Sequence, residues 1–242
     1  MKFSKLRISV TSIEQFNRFL LGLLEEEALI EQIKKPFETN DYFEVGKAWH
    51  SVIENYHQYK NHKGSRLELP IYDEEKECSF SIQDVRKIEN LMPDSTLHEF
   101  KKVLNLKYSD YDIELVGKCD GIVFGNLCFE HKTTTKDNQR ESYYQKYYDS
   151  FQWRFYCYIF NVDTVIYNIF LYSKEIIQGK GDVKTRWYVD VKEPVRLLFT
   201  KPENNSDECI EILHEFVDFI HQHNLQEYYQ PYEYKQENRG VE

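Results

Sequence analysis

The chain has 242 residues, of which 41% are hydrophobic and 30% charged, with a formal net charge of −10. That length and balance describe a globular unit with a sizeable core and exclude a disordered chain. No apolar run approaches the roughly 18–20 residues needed to span a bilayer, and the acidic balance argues against indiscriminate DNA binding, which needs Lys and Arg to neutralise phosphates.

The first residues, MKFSKLRISV, carry lysines but no apolar signal core, so no signal peptide is expected. The cysteines (Cys78, Cys119, Cys128, Cys157, Cys209) are odd in number and scattered, with no C-x-x-C pair. Neither a zinc site nor a disulfide framework is indicated, and a reducing cytoplasm is the expected setting.

Taken in order, residues 11–33 read as a helix. Ser12 and Gln15 fit a capping box, and Ile13, Phe16, Leu20, Leu23 and Leu24 form an apolar stripe. A second helix is expected over 42–62. It carries Gly46, Trp49 and His50, with Glu54 one turn beyond His50 on the same face. Residues 63–80 are polar and broken by Pro70, so they read as irregular, and a short helix at 82–91 ends before Pro93. Strands are expected at 103–108 and 112–124. Along the second, Glu114, Lys118 and Asp120 share a face.

The stretch Gly117–Thr135, GKCDGIVFGNLCFEHKTTT, reads as two strands joined at Phe124-Gly125-Asn126. Asp120 lies on the first strand. Glu130 and Lys132 lie two apart on the second, hence on one face. Two carboxylates and an ammonium among apolar residues are costly unless something binds them. A divalent cation is one answer; an exposed cross-strand Glu–Lys pair is the other. Register bears on the choice. A two-residue turn at Gly125-Asn126 pairs Asp120 with His131 and puts it on the face opposite Glu130. A three-residue loop, with Asn126 left-handed, pairs Asp120 with Glu130 directly, and a bulge at Gly121 has the same effect.

Beyond the hairpin, Thr133–Lys136 is a hydroxyl-rich loop. A helix over 140–160 carries Tyr143, Tyr144, Tyr147, Tyr148, Gln152, Arg154 and Tyr156. Strands follow at 164–173 and, after a Gly179–Gly181 turn, at 184–191. Pro202–Ser206 is a loop, 207–223 a closing helix, and 228–234 an aromatic tail. The whole reads as one α/β domain spanning 1–242, a central mixed sheet flanked by helices, with its chemistry-bearing motifs between 46 and 156 and a C-terminal helix and tail at 207–242.

In this order the motifs resemble the PD-(D/E)xK nuclease superfamily, and within it the RecB/AddB/Cas4-like branch. The matching pieces are G-x-x-x-H at Gly46–His50, G-x-x-D at Gly117–Asp120, E-h-K-T at Glu130–Thr133 and Q-x-x-x-Y at Gln152–Tyr156. The resemblance implies a restriction-endonuclease-like core. It implies a DNA nuclease, most simply an exonuclease, of the kind that phages, mobile elements and recombination or repair systems carry. Mg²⁺ or Mn²⁺ would be held by His50, Asp120, Glu130 and the backbone carbonyl of His131. Asp120, Glu130 and Lys132 would carry catalysis, with Lys132 positioning water or stabilising charge. Gln152, Tyr156, Arg154 and Lys136 would engage single- or double-stranded DNA, and Glu114 and Glu54 would be accessory. The branch's iron–sulfur cysteines are missing, one early and three late, so no cluster is expected. There is no G-x-x-x-x-G-K-[ST] either, so any helicase or recombination motor would come from a partner protein. The alternative on the same fold is a catalytically silent nucleic-acid-binding or assembly protein.

Overall fold

The structure is a computed structural model, and it describes residues 4–35, 40–71, 76–135, 140–180 and 184–231. β1 (Ser4–Ser9) leads into α1 (Val10–Leu20) and α2 (Glu26–Lys34), then α3 (Asp41–Glu54) and α4 (Tyr56–Tyr59). Next come β2 (Arg66–Pro70), β3 (Lys76–Ser81) and α5 (Ile82–Arg86), and then β4 (Leu97–Tyr108), β5 (Tyr111–Val123) and β6 (Leu127–Thr134). The chain continues through α6 (Arg140–Tyr148), α7 (Gln152–Phe160), β7 (Thr164–Ile177), β8 (Thr185–Val191), β9 (Val195–Thr200) and α8 (Asn205–Gln222), and ends in a 3-10 turn at Gln226–Tyr229.

The strands form a nine-stranded mixed sheet in the order β1-β5-β6-β7-β8-β3-β2, with β4 on β5 and β9 on β7. β1–β5, β6–β7 and β3–β8 are parallel, and the other pairs are antiparallel. The long strand β7 unites the sheet: its first half pairs with β6 and β9, its second half with β8. Two apolar cores cover the sheet. One packs Ile13, Phe16, Trp153, Phe155, Phe216 and Ile220 of α1, α7 and α8 against β5, β6 and β7. The other packs Val45, Trp49 and Val52 of α3 against Phe80, Phe170 and Trp187. The α/β architecture with a mixed sheet and flanking helices is the one expected, and no described helix is long and apolar enough to cross a membrane. All five cysteines are free and buried in these cores.

Several expected elements are divided. The helix expected over 11–33 stops at Leu21. Gly22 has φ +68°, its N–H bonds Phe19 O at 2.9 Å, and the Leu23 N–H bonds Arg18 O at 2.8 Å. This is a left-handed glycine stop. The N-cap is Ser9, which accepts the Ser12 N–H at 3.1 Å, and not Ser12. The helix expected over 42–62 breaks at Asn55, and the one over 140–160 breaks between Tyr148 and Gln152. Residues 63–80, expected to be irregular, contain β2 and β3. Their pairing shows weakly as apolar alternation because ion pairs do part of the work; Arg186 on β8 reaches Glu68 at 3.1 Å. β9 and β1 went unforeseen too. Lys136, Gly181 and the tail from residue 232 lie outside the described residues.

Candidate active site

Two glycines let the site close. A Cβ on Gly46 would stand 2.9 Å from Thr133 Oγ1, so only glycine lets α3 lie this close to the end of β6. One turn later, His50 then sits over β5. A Cβ on Gly117 would meet Ile159 at 3.0 Å and Phe160 at 3.2 Å. Its absence seats α7 on β5, where the Tyr156 hydroxyl donates to the Lys118 carbonyl at 2.8 Å.

The β5–β6 hairpin has the three-residue loop that the register argument requires. Val123 pairs with Leu127, Ile122 with Cys128 and Gly121 with Phe129. One further step in this register sets Asp120 opposite Glu130, where the two strands part. The left-handed residue is Gly125, φ +71°, and not Asn126; the Asn126 N–H closes the turn onto Val123 O at 3.2 Å. On the other edge of β5, the ladder with β4 skips the position opposite Asp120, and Glu99 there has φ +53°. Asp120 thus lies beside irregularities on both edges of β5. Its Oδ2 accepts the His131 backbone N–H at 2.5 Å, and its Oδ1 lies 3.3 Å from His50 Nδ1.

Glu130 is buried, 6% exposed, and faces α7. Its Oε1 accepts from Lys132 Nζ at 2.7 Å and from Gln152 Nε2 at 3.0 Å. Gln152 Nε2 also lies 2.7 Å from the Tyr156 hydroxyl. Glu130 Oε2 is buried with no hydrogen-bond partner. His50, Glu54, Asp120, Glu130, His131 and Lys132 all line one cavity of about 730 Å³, which Tyr42, Lys47 and Lys118 also border.

The charges are strongly coupled. Burial pushes the Asp120 carboxyl up, but the bond to His50, the charges of His50 and His131 and the His131 N–H outweigh it and hold it at about 2. Burial pulls His50 down, yet the bond and charge of Asp120, with Glu130 behind it, leave it raised. Glu130 is raised, first by burial and then by the charge of Asp120, against the pull of Lys132. Burial lowers Lys132, but Glu130 and Asp120 more than compensate, so it stays an ammonium. Burial pushes the His131 imidazole down to about 4. The two carboxyls are thus driven apart in pKa, a common feature of working sites and of structural ion networks alike.

The structure sorts the expected residues. His50, Asp120, Glu130, Lys132 and Glu54 share the cavity, and His131 borders it. Glu114 does not join them: it lies toward the start of β5, paired with Lys5 at 2.6 Å and Arg7 at 3.1 Å. Arg154 lies apart from the cavity residues. It pairs with Glu208 of α8 and lies 5.0 Å over the Trp153 ring. Tyr156 is only 2% exposed, and Gln152 gives its amide to Glu130 and Tyr156; Gln152, held by Tyr156, braces Glu130 from behind. Sequence reasoning missed Glu14, Ser150 and Asn17, whose side chains fix the start of α7. The available signal was a carboxylate and an amide three apart beside the apolar stripe of α1.

The donor set suits a hard divalent cation in kind: two carboxylates, an imidazole and a carbonyl, with the bare Glu130 Oε2 among them. The expected convergence of three ligands is met only in part. Among the described residues, no three His, Cys, Asp or Glu side chains form a ready cation cluster. His50 and Asp120 touch, whereas Glu130 is turned toward Lys132 and Gln152 because these satisfy its charge.

No family model matches the chain. No curated protein matches it either. Among solved structures, that of SSO0001 superposes with a TM-score of 0.45 at 14% identity, covering 90% of this chain and 76% of that one. A likeness so distant bears on neither family nor activity.

Proposed function

We propose that this chain is a divalent-cation-dependent deoxyribonuclease of the PD-(D/E)xK kind, hydrolysing phosphodiester bonds in DNA processing, recombination or repair. The observation that carries the reading is the state of Glu130. One oxygen is fixed by Lys132 and Gln152, and the other is buried without a partner on the cavity that holds Asp120 and His50. A buried, unsatisfied carboxylate oxygen is costly to fold around unless a ligand meets it. Glu130, Asp120, His50 and the His131 carbonyl would hold Mg²⁺ or Mn²⁺, the single imidazole shifting preference toward Mn²⁺. When bound, the cation would polarise a phosphate oxygen and lower the pKa of a water. Lys132 orients that water and stabilises the charge that develops. Lys47 and Lys118, the latter paired with Glu99, put cationic charge on the cavity wall that the overall charge of −10 conceals.

The second reading, a silent nucleic-acid-binding protein on this fold, draws on a different observation. Both Asp120 oxygens are already engaged, by His131 and His50. One assay separates the two. DNA labelled at its 5′ or 3′ end, single- or double-stranded, is incubated with the protein and Mg²⁺ or Mn²⁺, with and without chelator. Cation-dependent shortening supports the nuclease and reports its polarity. Retained binding without cleavage favours the silent protein.

A further inference from the structure

α7 is capped only in part from its own approach segment, where Ser150 Oγ accepts the Gln152 N–H at 3.2 Å. Phe151, its N-cap residue, is in right-handed helical conformation and supplies no side-chain bond. The first N–H groups of a helix need acceptors, and here another helix shares that task. Glu14 Oε2, on α1, accepts from Ser150 Oγ at 2.9 Å, from Phe151 N at 2.9 Å and from Gln152 N at 3.3 Å. Asn17, three residues further along the same helix and buried, donates to the Asp149 carbonyl at 3.0 Å. Two side chains of α1 thus grip the α6–α7 junction at the point where Gln152 enters the site.

Resting on the nuclease reading above, we propose that Glu14 is a positioning residue of the active site, acting through Gln152 on Glu130. The chain of bonds is continuous: Glu14 Oε2 to Gln152 N, then Gln152 Nε2 to Glu130 Oε1 at 3.0 Å and to the Tyr156 hydroxyl at 2.7 Å. This pins the Glu130 carboxylate by one oxygen and leaves the other toward the ligand. The geometry also explains why the helix expected over 140–160 is broken. Phe151 N–H finds its acceptor on α1, and Gln152 N–H shares Glu14 with Ser150 Oγ, neither bonding a carbonyl one turn back, so the chain restarts at Gln152 with its side chain directed at Glu130. A carboxylate at a helix N-terminus is further favoured by the helix dipole.

The test is a double-mutant cycle between Glu14→Ala and Gln152→Ala in the full chain, with Glu14→Gln as the milder variant. It reads kcat and KM on labelled DNA, Mn²⁺ affinity by calorimetry, and thermal melts. Outer partners of metal ligands commonly cost about 10–100-fold when removed. Glu14→Ala is expected to lower kcat about tenfold with KM within about twofold, and to weaken Mn²⁺ binding by a similar factor. In the Gln152→Ala background it should then change both by less than about twofold. Glu14→Gln, which keeps an acceptor, should fold as the parent does and lose less. Effects that multiply across the cycle, or a Glu14→Ala that lowers only the melting temperature, overturn the proposal and make Glu14 a plain helix cap. If the parent does not cut DNA, the nuclease reading fails separately, and the Mn²⁺ arm of the cycle still decides whether Glu14 acts through Gln152.

Discussion

Asp120 Oδ2 accepts the His131 backbone N–H at 2.5 Å, one step beyond the last cross-strand pair, Gly121 with Phe129. The carboxylate replaces the neighbouring strand's carbonyl where β5 and β6 separate. It therefore has a folding role as well as a place in the site.

Asp120→Ala is expected to weaken Mn²⁺ binding and abolish cleavage. It should also destabilise the protein by about 1–3 kcal/mol, the usual cost of leaving a buried donor unpaired. Asp120→Asn keeps an acceptor for the His131 N–H, so it should melt closer to the parent while still binding the cation weakly. Melts and calorimetric titrations of both variants check this. If both bind Mn²⁺ as tightly as the parent does, Asp120 is no ligand and its role is structural.

Lys132→Met removes the ammonium from a buried carboxylate. Glu130, already raised by burial, then takes up a proton, so the stability cost should be about 1–3 kcal/mol, less than for a charge left bare. Cleavage should fall about 10²–10³-fold, as when one electrostatic stabiliser is lost. Adding Glu130→Gln should restore much of the stability and none of the activity. A Lys132→Met variant that cuts at the parent's rate would remove Lys132 from the chemistry.

The residues that share the cavity were more legible in the sequence than their surroundings. G-x-x-x-H, G-x-x-D and E-x-K are local spacings, and the structure shows that Gly46 and Gly117 permit close helix–strand approaches. The loop parity was legible because strand register is a counting problem. What stayed hidden depends on contacts between distant segments. The resemblance sets Gln152 and Tyr156 against DNA, and only the packing of α7 on β5 shows that they sit beneath Glu130. The partner of Arg154, Glu208 on α8, lies more than fifty residues away along the chain. Glu114 shares the strand face of Asp120, but β1 reaches only the first part of β5 and claims it. Glu14 grips a junction more than a hundred residues away along the chain, which no local pattern encodes.

Gly46→Ala should shift α3 off β6, because the added Cβ would lie 2.9 Å from Thr133 Oγ1. Overpacking of this kind costs about 1–3 kcal/mol, and it would draw His50 away from Asp120. Activity and cation affinity should therefore fall together with stability. Thr133→Ala removes the clashing oxygen, so the Gly46→Ala/Thr133→Ala pair should recover melting temperature and Mn²⁺ affinity toward those of Thr133→Ala alone. Purely additive losses in the double variant would mean that the glycine serves some other purpose.

The His50–Asp120 pair sets a pH window for stability in cation-free buffer. His50 is raised above its ordinary 6.5, so its contribution is complete below about 6.5 and is lost as pH rises through the folded value. Asp120 is lowered from 3.8 to about 2, so its contribution is complete above about 4 and is lost as pH falls toward 2. The stability gap between the parent and Asp120→Asn should be widest between about pH 4 and 6.5 and should narrow on both sides. Without the Asp120 charge, burial governs His50, and its pKa should drop to below the ordinary value. Imidazole NMR titrations of the two proteins, with melts at acid, mild and alkaline pH, measure both effects. Cation binding competes with the His50 proton, so Mn²⁺ affinity of the parent should rise with pH over the range in which His50 titrates. An unchanged His50 titration in Asp120→Asn, or a stability gap that widens above neutral pH, would show that the two side chains are neighbours without being a coupled pair.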